Sequence, residues 1–133
     1  MNYIPKIIIL FSCLVSCNNN LDTKETLLES NCNCTDLILD ESYNHFFLDD
    51  RTLPFTGKCY EYFKNGNISI SKQFQDGKME GEMIRYNKNG TIKSLMNFQK
   101  NKINGKAIIY DSYGKDSIVI HYKNGKQVNK EAN

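Results

Sequence analysis

A repeat with a 24-residue period runs from Gly57 to Lys126 and constrains the fold more than any other feature of this chain. Written in three rows, the stretch reads GKCYEYFKNGNISISKQFQDGKME (57–80), GEMIRYNKNGTIKSLMNFQKNKIN (81–104) and GKAIIYDSYGKDSIVIHYKNGK (105–126). Nine of the 24 columns are identical in the first two rows. A fixed period with recurring glycines and aromatic residues is typical of stacked supersecondary units that bury their apolar surface against one another.

Each row contains two segments in which apolar and polar residues alternate. In the first segment the apolar or aromatic residues occupy the even-numbered positions, and the second segment continues the alternation. A period of two predicts half-buried strands. Asn65-Gly66 and Asn89-Gly90 lie between the segments, and Asn-Gly readily adopts the positive φ angles of a tight hairpin turn. The rows therefore predict an all-β fold, an antiparallel meander of β-hairpins that forms one elongated sheet.

Glycines punctuate the rows at fixed columns, both inside each row and where one row meets the next. Because glycine tolerates backbone conformations that other residues avoid, we assign these positions to structural turns. The assigned glycines are Gly57, Gly66, Gly77, Gly81, Gly90, Gly105, Gly114 and Gly125.

The alternation also predicts that the aromatic side chains of the rows share one face of the sheet. A sheet that is only half covered exposes aromatic surface, and such surface favours the binding of a partner. We therefore assign this face as the candidate binding surface, with the ridge of Asn-Gly turns as the alternative. The rings assigned to it are Tyr60, Tyr62, Phe74, Tyr86, Phe98, Tyr110 and Tyr122.

The rows resemble the MORN repeat family, and more closely its bacterial variant, the YwqK-type antitoxins. Rows of that variant read roughly as Gly-Lys, an aromatic strand, Asn-Gly, a second strand that ends in an aromatic residue, and Asp-Gly-Lys. The resemblance covers residues 53–128 and departs from the pattern at Asn101, Tyr113 and Asp116. It implies MORN-like repeats that bind proteins or membranes without enzymatic activity. The antitoxin label implies an immunity role, with a toxin as the protein partner.

The first 17 residues have the anatomy of a secretory signal. Lys6 precedes an apolar run that is too short to span a membrane as a mature helix. The run ends in Leu14-Val15-Ser16-Cys17, which resembles a bacterial lipobox and implies cleavage before Cys17 and lipidation of that residue. An uncleaved anchor and a plain signal peptide are the alternatives. A lipidated chain would be held on a membrane of the bacterial cell envelope, facing the periplasm or the outside.

These features divide the chain into five expected parts. They are a lipoprotein signal peptide (1–16), the lipidated cysteine with a polar tether (17–35), an N-terminal β cap (36–56), three repeats (57–128) and a polar tail (129–133).

Three cysteines would remain beyond the lipidated one. In an oxidising compartment this odd number leaves one cysteine without a partner for an internal disulfide. Cys59 is replaced by Met83 and Ala107 in the other rows, so it is special to the end of the array that meets the N-terminal segment. We expect a disulfide from Cys59 to either Cys32 or Cys34, which would hold residues 30–40 over the open edge of row one. The alternative is a metal site that uses all three thiolates.

Charge is distributed unevenly along the chain. Residues 18–50 carry one Lys against eight Asp or Glu, whereas residues 51–133 carry fifteen Lys or Arg against seven Asp or Glu. One interpretation is that the basic array faces an anionic partner. The alternative is that lysines at turn positions keep the loops soluble while the acidic segment folds back on the array.

Catalytic motifs are absent from the sequence: His45 and His121 are isolated, and no nucleophile elbow, phosphate loop or calcium-loop spacing occurs. We expect no enzymatic activity, cofactor, metal, small-molecule substrate or nucleic acid. The expected function is the binding of a protein partner by the repeat sheet. The second hypothesis is a structural module that organises the envelope by binding anionic lipid through the basic repeats.

Overall fold

The computed structural model describes residues 30–48 and 52–132, which form two β-sheets. The larger sheet has eight strands in the order β1-β4-β5-β6-β7-β8-β9-β10, and the smaller pairs β2 with β3. A 3₁₀ turn, Cys34–Asp36, joins β1 to β2. The strands are β1 Ser30–Asn33, β2 Leu37–Asp40, β3 His45–Leu48, β4 Gly57–Tyr62, β5 Ile68–Gln75, β6 Lys78–Tyr86, β7 Ile92–Gln99, β8 Lys102–Tyr110, β9 Asp116–Lys123 and β10 Lys126–Ala132.

The predicted all-β hairpin meander is confirmed. From β4 to β10, each strand pairs antiparallel with the next strand along the chain. Each row contributes two strands, so the 24-residue period of the sequence is a period of two strands in the sheet.

The turn inside each row is a five-residue loop closed by backbone hydrogen bonds. In row one, Phe63 N donates to Asn67 O at 2.8 Å and Gly66 N donates to Phe63 O at 2.9 Å. Gly66 has a φ of 86°, whereas Asn65 keeps a negative φ and its Oδ1 accepts from Asn67 N at 3.1 Å. The asparagine therefore contributes a side-chain acceptor, and glycine alone supplies the positive φ that was expected of the pair.

The turns between rows are tighter and have two successive residues with positive φ. Such a pair matches the right-handed twist of the flanking strands. The φ angles are 48° and 73° at Asp76-Gly77, 49° and 67° at Lys100-Asn101, and 52° and 81° at Asn124-Gly125.

Each of these turns is hydrogen-bonded to the two residues that directly precede the row in which the turn lies, at positions 55–56, 79–80 and 103–104, a series that we call the turn ladder. The second turn residue donates its amide to a backbone carbonyl, and the first donates to a side-chain oxygen one position further on. The backbone bonds are Gly77 N to Phe55 O (2.8 Å), Asn101 N to Met79 O (3.1 Å) and Gly125 N to Ile103 O (2.8 Å). The side-chain bonds are Asp76 N to Thr56 Oγ1 (2.9 Å), Lys100 N to Glu80 Oε2 (2.9 Å) and Asn124 N to Asn104 Oδ1 (3.1 Å).

The assignment of Gly57, Gly81 and Gly105 to turns is wrong, because all three lie in strands. Gly81 and Gly105 have φ angles of 91° and 94° and occupy places where β6 and β8 shift register against the preceding strand. An extra residue at a β-bulge needs an unusual backbone conformation, which glycine adopts without strain. Each of the three is also the cross-strand partner of an aromatic residue: Gly57 of Phe74, Gly81 of Phe98 and Gly105 of Tyr122.

The N-terminal cap differs from its expected form at its outer edge. The expected strands are present as β2 and β3, but they pair with each other in a separate sheet. The strand that extends row one is β1, which pairs parallel to β4 and occupies part of the predicted polar tether. The β2–β3 hairpin joins the array through Phe46 N, which donates to Gly77 O at 2.6 Å, and through Asn44 O, which accepts from Asn101 Nδ2 at 2.8 Å.

The most buried cluster lies where this cap meets row one. Phe55, Cys59 and Phe74 are buried there, and the rings of Phe46 and Phe55 contact the ring of Phe74 edge to face at 5.1 and 5.7 Å between centroids. Cys59 forms a disulfide with Cys34, with 4.9 Å between the two Cα atoms. This bond is one of the two pairings that the sequence left open.

The predicted polar tail is wrong for residues 129–132, because β10 continues the sheet to Ala132. Its side chains from Lys126 to Lys130 are exposed. The segment is polar and lacks the alternation of apolar and polar residues that predicts a half-buried strand. The predicted signal peptide, the predicted lipidation site Cys17 and the predicted tether up to residue 29 lie outside the described residues.

Replacement of Gly57 by alanine should detach β1 from the sheet. The added Cβ would overlap the carbonyl oxygen of Ser30, and Gly57 has a φ of 150°. Gly66→Ala is the matched control, because its φ is 86° and its added Cβ would meet nothing within 4 Å. Both changes carry a backbone penalty of about 1 kcal/mol. In urea unfolding, Gly57→Ala should lower the free energy of unfolding by about 1–3 kcal/mol more than the control, and only it should remove the amide protection of residues 30–33.

Reduction of the Cys34–Cys59 bond should lower the free energy of unfolding by about 2–4 kcal/mol, because the bond closes a loop between residues 25 apart in the chain. The measurement compares urea unfolding of the oxidised and the reduced chain, with Cys32→Ser present in both so that no thiol can exchange. Equal midpoints would show that the cap is held without the bond.

Candidate interaction surface

The seven aromatic rings assigned to one binding face are divided between the two faces of the sheet, so this prediction is wrong. Cys59 pairs with Lys72 and Tyr60 pairs with Ser71. Cross-strand partners lie on the same face, so the odd-numbered residues of β4 share a face with the even-numbered residues of β5. Tyr60 and Phe74 are both even-numbered and therefore lie on opposite faces. Shifting a pairing by one residue moves every side chain of a strand to the other face, and sequence alternation alone does not fix that pairing.

The face that carries Cys59 and Phe74 is here called the cap face. Phe74 is only 3% exposed because Phe46 and Phe55 pack against it, so it belongs to the core and is unavailable to a partner. Phe98 and Tyr122 occupy the equivalent positions of the later rows and are half-buried. Their pairing with Gly81 and Gly105 gives them a structural role in the sheet.

Three of the remaining rings end the first strand of each row. Tyr62, Tyr86 and Tyr110 are the last residues of β4, β6 and β8, directly before the five-residue loops. Tyr62 is 54% exposed, and the other two are half-buried. These tyrosines recur with the period of the rows and line one margin of the sheet.

The opposite face of the sheet, here called the tyrosine face, carries a continuous line of cross-strand partners that we call the central row. All six positions are half-buried, and five of them are large or β-branched apolar or aromatic residues. The row crosses six strands in the order Tyr60, Ser71, Ile84, Leu95, Ile108 and Val119. Half-exposed apolar side chains in a connected line form a surface that a second molecule can cover.

The alternation does not identify Leu95 and Val119 as candidate surface residues, because it predicts polar side chains at the odd-numbered positions of the second segments. The residue types were nevertheless a usable signal. Both are apolar where the equivalent residue of row one, Ser71, is polar.

Polar residues, including positively and negatively charged ones, border the central row. Next to it on the same face lie Lys58 paired with Gln73, Glu82 paired with Asn97, and Lys106 paired with His121. A depression of about 180 Å³ opens at the row-one end, lined among others by Tyr60, Tyr86, Lys58 and Glu82. An apolar line with a polar rim is the usual anatomy of a protein interface.

Within the described part of the chain, neither histidine belongs to a group of residues that could hold a metal ion. His45 Nδ1 is 2.6 Å from Tyr43 O, and His121 lies on the tyrosine face opposite Lys106. Among residues 30–48 and 52–132 there is no group of three His, Cys, Asp or Glu side chains arranged to hold a metal ion.

Cys32 is the free thiol among the described residues and lies beside the disulfide. Its side chain is partly buried against the cluster of Phe55, Cys59 and Phe74. Burial, together with the negative charge of Asp36, raises the pKa of Cys32 above the usual thiol value of 9.0. The thiolate, which is the nucleophile, is therefore scarce at neutral pH.

Neutralising Asp36 should make Cys32 react faster. Asp36→Asn removes a charge that raises the pKa of Cys32, so at pH 8 the thiolate fraction and the rate of alkylation by iodoacetamide should increase. Asp76→Asn is the control, because it removes one negative charge at an inter-row turn where asparagine tolerates the positive φ. The rate is read by mass spectrometry of the Cys32 peptide. Equal rates in the two variants would contradict the electrostatic account.

Comparison with known proteins identifies no relative of this chain. Among the described residues, no helical segment has the length and hydropathy of a membrane span. No protein-family model, curated protein or solved structure matches the chain.

Proposed function

We propose that this chain is a non-enzymatic module that binds a protein partner through the central row of the tyrosine face. The observation that carries the proposal is the line of six half-exposed residues across six adjacent strands, all of them apolar or aromatic except Ser71. The cap packs on the other face, against Phe74, and leaves the central row to solvent within the described part of the chain.

The chemistry of the rim favours a protein as the partner. Positive, negative and amide side chains alternate beside the row, and such a mixture matches the polar groups of a folded protein surface. A surface that binds anionic lipid would instead place an uninterrupted run of positively charged side chains along the contact. Glu82 and the Asn97 amide interrupt any such run on this face.

The biological role that we propose is that of an antitoxin, anchored to a membrane of the bacterial cell envelope by a lipid on Cys17. Two sequence features support it: the resemblance of residues 53–128 to the YwqK-type variant of MORN repeats, and the lipobox-like Leu14-Val15-Ser16-Cys17. In this role the central row would cover a functional surface of a toxin and hold the toxin inactive.

A pair of adjacent residues gives a matched test. Ile108 lies in the central row, whereas Ile109 is 37% exposed on the cap face. Ile108→Glu places a charge in the proposed interface, and burying an unpaired charge costs several kcal/mol. Ile109→Glu makes the same chemical change on the opposite face. We expect Ile108→Glu to weaken partner binding by more than about tenfold and Ile109→Glu by less than about threefold, on the scale of interface hot spots.

The experiment uses the full chain and the two variants as baits in an envelope extract of the native organism, washed at low and high salt, after circular dichroism has shown equal folding. A stoichiometric protein should survive high salt with the unaltered chain and Ile109→Glu and be lost with Ile108→Glu. That protein, expressed alone, should arrest growth, and co-expression of the unaltered chain should restore it. Retention by all three baits, or salt-sensitive binding to anionic vesicles without a protein, would contradict the proposal.

A further inference from the structure

Three cysteine residues lie together at the edge of row one. Cys34 is bonded to Cys59, and Cys32 is the direct cross-strand partner of Cys59 in the parallel pair of β1 and β4. Cys32 and Cys34 both pack against the cluster that contains Cys59. Cys59 is therefore flanked by two cysteines, of which the structure bonds one.

Both cysteines lie at a distance from Cys59 that a disulfide can span. The Cα atoms of Cys34 and Cys59 are 4.9 Å apart. Paired residues of neighbouring strands are separated by about 4.8 Å, which also falls within the Cα range of disulfides. Partners in a ladder point to the same face, so the Cys32 side chain is on the side of the sheet where the Cys59 sulfur lies. The strand that must adjust, β1, has four residues and lies at the edge of the sheet among the described strands.

We propose that Cys32, Cys34 and Cys59 form an internal disulfide-exchange site in which Cys59 alternates between two partners. The Cys32 thiolate attacks Sγ of Cys59, the Cys32–Cys59 bond forms as the Cys34–Cys59 bond breaks, and Cys34 leaves as a thiolate that takes up a proton. One disulfide and one thiol are present before and after the step, so no external oxidant or reductant is consumed.

The two bonds fasten different parts of the N-terminal segment. The Cys34–Cys59 bond fixes the 3₁₀ turn that leads into the β2–β3 hairpin, and with it the cover over Phe74. The Cys32–Cys59 bond would fasten β1 alone and release that turn. Exchange would thus loosen the cap while the meander stays intact. Burial and the negative charge of Asp36 raise the pKa of Cys32, which slows the attack of Cys32 on Cys59 at neutral pH.

The first test incubates the full chain in a glutathione redox buffer, quenches it with acid at intervals, alkylates free thiols and digests with trypsin. Cys32 and Cys34 fall in one tryptic peptide, 25–51, and fragmentation at Asn33 shows which of them is alkylated. We expect a second population to grow with time, in which Cys34 is alkylated and Cys32 is joined to Cys59. If Cys32 is the alkylated residue of the pair at every time point, the proposal is overturned.

The second test compares Cys34→Ser with Cys32→Ser after oxidation. In both variants Cys59 should resist alkylation after oxidation, because each variant keeps one cysteine with which Cys59 can form a disulfide. Only Cys34→Ser should also lose the amide protection of Phe46, whose hydrogen bond to Gly77 O ties the cap to the array. If Cys34→Ser folds and keeps Cys32 and Cys59 as free thiols, Cys32 is out of reach and the exchange site does not exist. If that variant does not fold, the experiment on the unaltered chain decides.

Discussion

The turn ladder is the interaction on which the rest of the structure depends. An amide of each turn between rows donates to the backbone carbonyl two residues before the row begins, at 2.8 Å to Phe55 and Ile103 and at 3.1 Å to Met79. A second amide is satisfied by the side-chain oxygen of Thr56, Glu80 or Asn104. Three different side chains thus provide one acceptor at one geometric position. The geometry is conserved between rows more strictly than the residue type, because an acceptor oxygen is all that the turn requires.

The ladder also explains how the cap attaches to a repeat array. Phe55 provides the carbonyl that accepts from Gly77 N, and its own amide donates to Phe46 O in β3. At row one the hydrogen bonds of the turn ladder therefore continue into the cap. At the later rows they lead to the end of the preceding row instead. Asn101 reaches the cap as well, since its Nδ2 donates to Asn44 O while its Oδ1 accepts from Met79 N. This gives a structural reason for asparagine at the column where rows one and three have glycine.

The sequence carries enough information for the strands of the meander and their order, but too little for the register that decides which side chains share a face. Alternation and glycine punctuation located β4 to β9, because half-buried strands and tight turns leave strong local patterns. The facing of Tyr60 and Phe74 depends on the length of the loop between them and on bulges, which alternation does not encode. β1 was missed because Ser30–Asn33 is short and polar, and its pairing to β4 is a contact between distant parts of the chain. The Cys34–Cys59 bond was foreseen as one of two pairings, since Cys59 departs from Met83 and Ala107 in its column.

Because the cap stabilises one end of the array, unfolding of the array should begin at the other end. Strands of a meander contact mainly their neighbours, so the stability of such a sheet is close to a sum of nearest-neighbour terms and opening begins at the least secured end. A covalent bond and a buried aromatic cluster secure row one, whereas the described side chains of β10 are exposed. Within the described sheet, thermal or mechanical opening would therefore start at β10 and proceed toward row one. The central row would lose its Val119 and Ile108 end first, while Tyr60 and Ile84 stayed in place until the last hairpins opened.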